Sequence, residues 1–201
     1  MIYLASRSPR RRELLAQLGL DFQVLDLEVD ESRRAGESPQ ILALRLAAVK
    51  AAAGWQLLDG DDSQPVIGAD TIVVLDDEII GKPRDAAHAS ELLMRLSGRC
   101  HRVLSAVALA SAGGTQTRLS DSRVCFRQLS QSECEAYART GEPLDKAGGY
   151  AIQGRAGAFV TELRGSYSGV VGLPLFETAE LLVEVGVEIF SGDGPLQRGQ
   201  I

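Results

Sequence analysis

Apolar and polar positions along the chain alternate between two rhythms, one suited to strands and one to helices. Ile2 to Ala5 form a short apolar run, and Ser8-Pro9 then supplies an N-cap and a residue suited to the first helical position. Leu14, Leu15 and Leu18 continue at helical spacing until Gly19. Phe22, Val24 and Leu27 predict a second strand leading into the acidic stretch Glu28 to Glu31. Ser38-Pro39 opens a second predicted helix with Leu42, Leu46, Val49 and Ala53 on one face and Lys50 beside that face. Val66 to Leu75 reads as a strand, and Asp76-Asp77 as a hairpin turn into Ile79-Ile80.

Asp85 caps a third predicted helix carrying Leu92, Leu93 and Leu96. Two long strands are predicted over 101–110 and 117–127, joined through Gly113-Gly114. Ser130 and Glu133 form a capping box for a fourth helix. The Gly-rich segment from Gly148 to Gly172 contains a short strand, Ala158 to Leu163, and Leu173-Pro174 opens a last helix ended by Gly186. Strands alternate with helices and then cluster, which indicates a mixed α/β sheet with flanking helices. The stretch 1–188 reads as one domain, the polar loop Gly60 to Gln64 as a site of variable length, and 189–201 as a tail that frays.

Composition narrows the function classes. At 201 residues and 45% hydrophobic, the chain suits one domain or two closely joined lobes. Its formal net charge of -6 argues against a protein that coats nucleic acid through a broad basic face. The 21 basic residues include only three lysines, Lys50, Lys82 and Lys146. Codon bias toward Arg accounts for their scarcity, but a compact ammonium is not replaceable by a guanidinium at a crowded site. Cys100, Cys125 and Cys134 are odd in number and far apart, so buried free thiols are expected rather than a disulfide framework or a zinc site. The apolar run before Arg7 is too short for a signal-peptide core, and no run reaches membrane-spanning length. A cytoplasmic protein without a membrane partner is the expectation.

Three local features carry candidate chemistry. The junction Ser6-Arg7-Ser8-Pro9-Arg10-Arg11-Arg12 places cations in a first helical turn, where the helix dipole disfavours them. An anion held by free N–H groups, hydroxyls and guanidinium forks would account for that; so would a solvated basic patch pairing with Glu13 or the stretch Glu28 to Glu31. Asp70 interrupts an apolar strand and needs a partner or a metal, unless it caps a turn at a strand end. Gly68, two residues earlier, suits close approach of a backbone or ligand. Lys82, in Gly81-Lys82-Pro83, and Lys50 read locally as a surface turn and a snorkelling boundary residue. Together these residues supply cations for a polyphosphate, and Glu31 and Asp70 supply hard oxygen ligands for a divalent metal.

Five segments in order give the chain a resemblance: Leu4 to Arg11, Gly68-Ala69-Asp70-Thr71, Gly81-Lys82-Pro83, Leu144 to Gly154, and Val171-Gly172-Leu173-Pro174. They resemble the Maf family of nucleoside triphosphate pyrophosphatases from about residue 2 to 186. The resemblance implies an elongated mixed α/β fold of the Maf/ITPase-like kind, with two lobes around a central cleft and often a homodimer. It implies Asp70 as proton acceptor, Glu31 as a further acidic residue near the metal, and Ser6, Arg11, Lys50 and Lys82 as phosphate-holding groups. Magnesium is the implied metal, with manganese as a substitute. Arg10, Thr71 and Gln153 match positions that separate branches of the family, and this combination resembles the branch acting on dTTP and UTP. A branch acting on 7-methyl-GTP typically carries Trp, Gln and Glu there. A non-catalytic nucleotide-binding division regulator and a nucleic-acid binder using the Arg cluster are the competing readings. Lys146 is read equally as a salt-bridge partner of Asp145 or Glu142 and as a cleft cation opposite Arg10.

Overall fold

A computed structural model of the chain describes residues 1–58 and 64–189. Strand β1 (Ile2–Ala5), helix α1 (Pro9–Ala16) and strand β2 (Phe22–Val24) form a first parallel unit. Helix α2 (Pro39–Leu57) then crosses over to β3 (Val66–Leu75), which hairpins into β4 (Glu78–Ile80). After α3 (Ala86–Leu96) come the long antiparallel strands β5 (Cys100–Ser111) and β6 (Gly114–Phe126). Helix α4 (Gln131–Ala138), two short 3-10 turns, strand β7 (Val160–Arg164), and helices α5 (Tyr167–Val171) and α6 (Leu175–Glu184) complete the described residues. The result is a seven-stranded mixed sheet in the order β2-β1-β3-β5-β6-β7, with β4 on β3 and helices on its faces. Among the described residues, no helix is long and apolar enough to cross a membrane.

Caps and turns follow the local chemistry. Ser8, Ser38, Asp85 and Ser130 each accept a backbone N–H in the first turn of the helix they precede. Asp76 and Asp77 both take positive φ, as a tight two-residue hairpin requires.

Side-chain alternation along β3 assigns each face its core. Ile72 and Val74 pack beneath α2 with Leu104, Ala106 and Ala108 of β5. On the opposite face, Ile67 and Ala69 join α1 and α6 in one core, while Val73 and Leu75 join α3 and α4 in another. Thr71 falls between these two cores, so the face carries two apolar masses with a polar seam between them.

Two sequence expectations need correction. The buried face of α2 runs through Ala43, Leu46, Ala47, Lys50, Ala51 and Gly54, while Val49 and Ala53 are only half-buried. Lys50 therefore lies on the packed face and does not snorkel beside it. Cys100 and Cys125 are not free thiols: the antiparallel register of β5 and β6 sets them directly opposite, and they form a disulfide. Their separation of 25 positions conceals that pairing in the linear sequence. Cys134 is a buried free thiol, as expected. Most of the predicted polar loop and nearly all of the predicted tail lie outside the described residues.

Candidate active site

The site begins at a break in strand pairing. One edge of β3 pairs in parallel with β1 at Val66, Ile67 and Gly68, and in antiparallel fashion with β4 from Val73 to Leu75. Between them neither strand pairs with Ala69 to Ile72, and β1 ends as its chain turns away through Ser6 toward α1. β1 also has parallel neighbours on both sides, so the carboxyl end of this strand is a topological switch point, a recurrent position for ligand crevices. Asp70 is therefore a mid-strand residue beside a cleft, not a strand-end turn cap.

Gly68 brings α2 onto this strand. A Cβ there would stand 2.4 Å from Ala47 O and Ala51 N, so only glycine permits the approach. One turn of α2 thus hangs its Lys50 side chain beside Asp70. The Lys50 ammonium donates to Asp70 Oδ1 at 2.7 Å and lies 2.7 Å from Glu31 Oε1. Lys50 and Asp70 are only 9% and 8% exposed. Partial burial pushes the Glu31 carboxyl up, but the hydrogen bond and charge of Lys50, helped by Lys82 and Arg11, hold it below the usual carboxylate range.

Glu31 reaches this point from an irregular segment tied down by an ion pair that sequence reasoning missed. Glu37 is buried and accepts from Arg45 Nε at 2.6 Å and Nη2 at 2.9 Å. Arg45 also holds the Ser32 carbonyl at 2.9 Å, and Arg33 donates twice to the Glu37 carbonyl. The Arg45 hydrogen bond outweighs desolvation and holds the Glu37 carboxyl at about 2. The signal was the spacing of Glu37 and Arg45 across the Ser38 cap, which sets Glu37 just before α2 and Arg45 in its second turn.

A second group of polar atoms lies on the other face of β3. Arg11 folds inward from the first turn of α1, donating from Nε to Gly172 O at 2.9 Å, from Nη1 to Ser6 Oγ at 3.4 Å and from Nη2 to Thr71 Oγ1 at 3.3 Å. Burial pushes the Arg11 guanidinium down from its ordinary value, against the favourable charges of Asp70 and Glu31. Thr71 Oγ1 also donates to the Gly172 carbonyl, and Ser105 Oγ lies 3.2 Å from it. Gly172 has φ of 141°, a conformation that favours glycine and turns its carbonyl toward Arg11. Arg7 instead pairs outward with Asp26 and Glu28, so the basic-patch reading holds for that one arginine.

These groups line one cleft of about 940 Å³. Every predicted site residue is on its wall: Ser6, Arg10, Arg11, Glu31, Lys50, Asp70, Thr71, Lys82 and Gln153. Lys82 is delivered from the β4 exit, where the Gly81 carbonyl accepts from Gly148 N at 3.1 Å. Arg10 crosses the cleft mouth to Asp145 Oδ2 at 2.9 Å. Partial burial pushes Asp145 up, but hydrogen bonds from Lys146 and Arg10 win and hold it at about 2. Lys146 satisfies both of its readings: it pairs with Asp145, donates to the Glu142 carbonyl at 2.6 Å, and still lines the cleft. His101 takes no part; it is buried against Tyr150 Oη at 2.8 Å, and burial pushes its imidazole down to about 4.

The cleft thus combines a buried carboxylate at an open strand edge with at least five basic side chains, the inventory of a polyphosphate site. A family model described as Maf-like protein matches residues 1–185. The chain belongs to the Maf family. Among Maf relatives, a protein of Alkalilimnicola ehrlichii named dTTP/UTP pyrophosphatase is 55% identical over 93% of this chain and 94% of its own length. A Salmonella typhimurium protein of the same name is 55% identical over 90% of this chain and 91% of its own. Among solved structures, the Staphylococcus aureus Ham1 protein superposes with a TM-score of 0.44 at 16% identity, covering 62% of this chain and 71% of that one.

The donor set of this Maf cleft bears on a divalent metal. Among the described residues there is no group of three or more His, Cys, Asp or Glu side chains able to hold an ion. Glu31 and Asp70 each commit one oxygen to Lys50, leaving Glu31 Oε2 and Asp70 Oδ2 without a protein partner among the described residues. Two carboxylates completed by substrate phosphate oxygens and water is the usual habit of Mg²⁺, so the residues fit it.

Proposed function

We propose that this protein is a pyrophosphatase hydrolysing the α–β bond of dTTP and UTP, releasing the nucleoside monophosphate and pyrophosphate. The observation that carries the reading is Asp70, a buried carboxylate at the unpaired edge of β3, facing a cleft whose cations come from four separate segments. The relatives named dTTP/UTP pyrophosphatase, aligned over nine-tenths of their length, support the same substrates.

The roles follow from position. Asp70 accepts the proton of a water that attacks the α-phosphorus, while the Lys50 hydrogen bond to Oδ1 orients the carboxylate. Ser6, Arg11, Lys50 and Lys82 hold the triphosphate and stabilise the charge that builds on the leaving pyrophosphate. Glu31 and Asp70 hold Mg²⁺, for which Mn²⁺ can substitute, and the ion neutralises phosphate charge when bound. Arg10, Thr71 and Gln153 select the base; the Gln153 amide offers both a donor and an acceptor to a pyrimidine edge. A nucleoside triphosphate substrate agrees with a cytoplasmic location.

Initial rates with dTTP, UTP, CTP and 7-methyl-GTP at equal concentration, read as pyrophosphate release, test the assignment. dTTP and UTP should exceed the others by about tenfold or more. Preference for 7-methyl-GTP would move the protein to another branch of the family, and no turnover of any nucleotide would leave a binding protein.

A further inference from the structure

Behind the cleft wall that carries Gln153, one carboxylate and one phenol grip both ends of the turn from Ala151 to Arg155. Glu142 Oε1 accepts from the Arg155 N–H at 3.1 Å and from Tyr137 Oη at 2.7 Å. Tyr137 Oη in turn accepts the Ala151 N–H at 3.1 Å. A closed circuit therefore runs from Ala151 through Tyr137 and Glu142 to Arg155, with Gln153 at its midpoint. Gly154 N donates to the Ala151 carbonyl at 3.0 Å and closes the turn from within.

Gly154 shows how closely the carboxylate sits. A Cβ there would meet Glu142 Oε1 at 2.4 Å, so the glycine makes room for the clamp. Tyr137 is itself fixed: it is buried in α4 with its ring edge-on to Phe159 at 5.3 Å between centroids. Neither Glu142 nor Tyr137 lines the cleft, whereas Ala151, Ile152 and Gln153 do. The Gln153 amide makes no hydrogen bond to another described residue, so its placement comes from the backbone beneath it.

We propose that Glu142, acting with Tyr137, is a positioning residue for base recognition: it fixes the turn that presents Gln153 to the nucleobase. The inference rests on the assignment of Gln153 as a base-selecting residue. It separates the cleft into a phosphate end, built on Ser6, Arg11, Lys50 and Lys82, and a base end held by this clamp.

The test compares the two ends in one protein. Steady-state kinetics with UTP report on both, and competitive inhibition by inorganic tripolyphosphate reports on the phosphate end alone. In Glu142→Ala, the KM for UTP should rise about tenfold while kcat and the tripolyphosphate Ki stay within about twofold. Glu142→Gln, which keeps an acceptor oxygen for both donors, should recover most of the loss. Tyr137→Phe removes the hydroxyl but keeps the ring; it serves if Glu142→Ala does not fold, and should raise the UTP KM in the same direction. An unchanged UTP KM in a folded variant, or a KM and Ki that rise together, would overturn the proposal. Wild-type protein that turns over neither UTP nor dTTP defeats the parent assignment instead, and this inference with it.

Discussion

Lys50 Nζ donates to Asp70 Oδ1 at 2.7 Å across a helix–strand contact that excludes any side chain at Gly68. The pair joins fold and chemistry, since the ammonium both neutralises a buried carboxylate and faces the cleft. Removing Lys50 leaves Asp70 buried without its partner, and breaking such a pair costs about 3 kcal/mol. Lys50→Met should therefore lower thermal stability and abolish nucleotide hydrolysis. Lys50→Arg keeps the charge but forces a planar fork into the space of a compact ammonium, and turnover should still fall by about tenfold or more. Near-normal turnover in Lys50→Arg would show that the site is less confined than described.

Gly68→Ala probes the contact itself. The added methyl would stand 2.4 Å from backbone atoms of α2, which cannot rotate away. Overpacking of this kind costs about 1–3 kcal/mol and would displace Lys50 from Asp70. A clear fall in melting temperature together with lost activity is expected; wild-type values for both would contradict the packing.

The Glu37–Arg45 pair should appear in the acid limb of stability. Glu37 is held at about 2 in the folded protein against an ordinary value of 4.5. Between those values the unfolded chain binds a proton that the folded chain does not, so stability rises with pH there. The contribution is complete above about 4.5 and is lost as pH falls toward 2. Denaturant melts of Glu37→Gln against wild type should show a shallower slope over that window. Equal slopes would remove Glu37 as the anchor of the segment carrying Glu31.

Much of this was legible in the sequence because it rests on local chemistry. The serine and aspartate caps, the Asp76-Asp77 turn and the strand Val66 to Leu75 depend on neighbouring residues, and they form as read. Ser6, Arg10, Arg11, Asp70, Thr71, Lys82 and Gln153 stand in ordered motifs, and they line one cleft with Glu31 and Lys50, which lie outside those motifs. What escaped depends on register and packing between distant segments. The Cys100–Cys125 disulfide follows from strand pairing, and the burial of Lys50 from a helix seated on a glycine. Glu142 and Glu37 lie outside the matching segments, and Asp145 lies inside one without a role read for itself; each matters through a residue it holds in place.

Hydrolysis of UTP in ¹⁸O-enriched water, followed by ³¹P NMR, tests the proposed reaction most directly because it reports the bond broken and the atom attacked together. The proposed chemistry gives UMP and pyrophosphate, with the solvent oxygen on the α-phosphorus of UMP. Label in pyrophosphate, or UDP and phosphate as products, would contradict attack at that phosphorus.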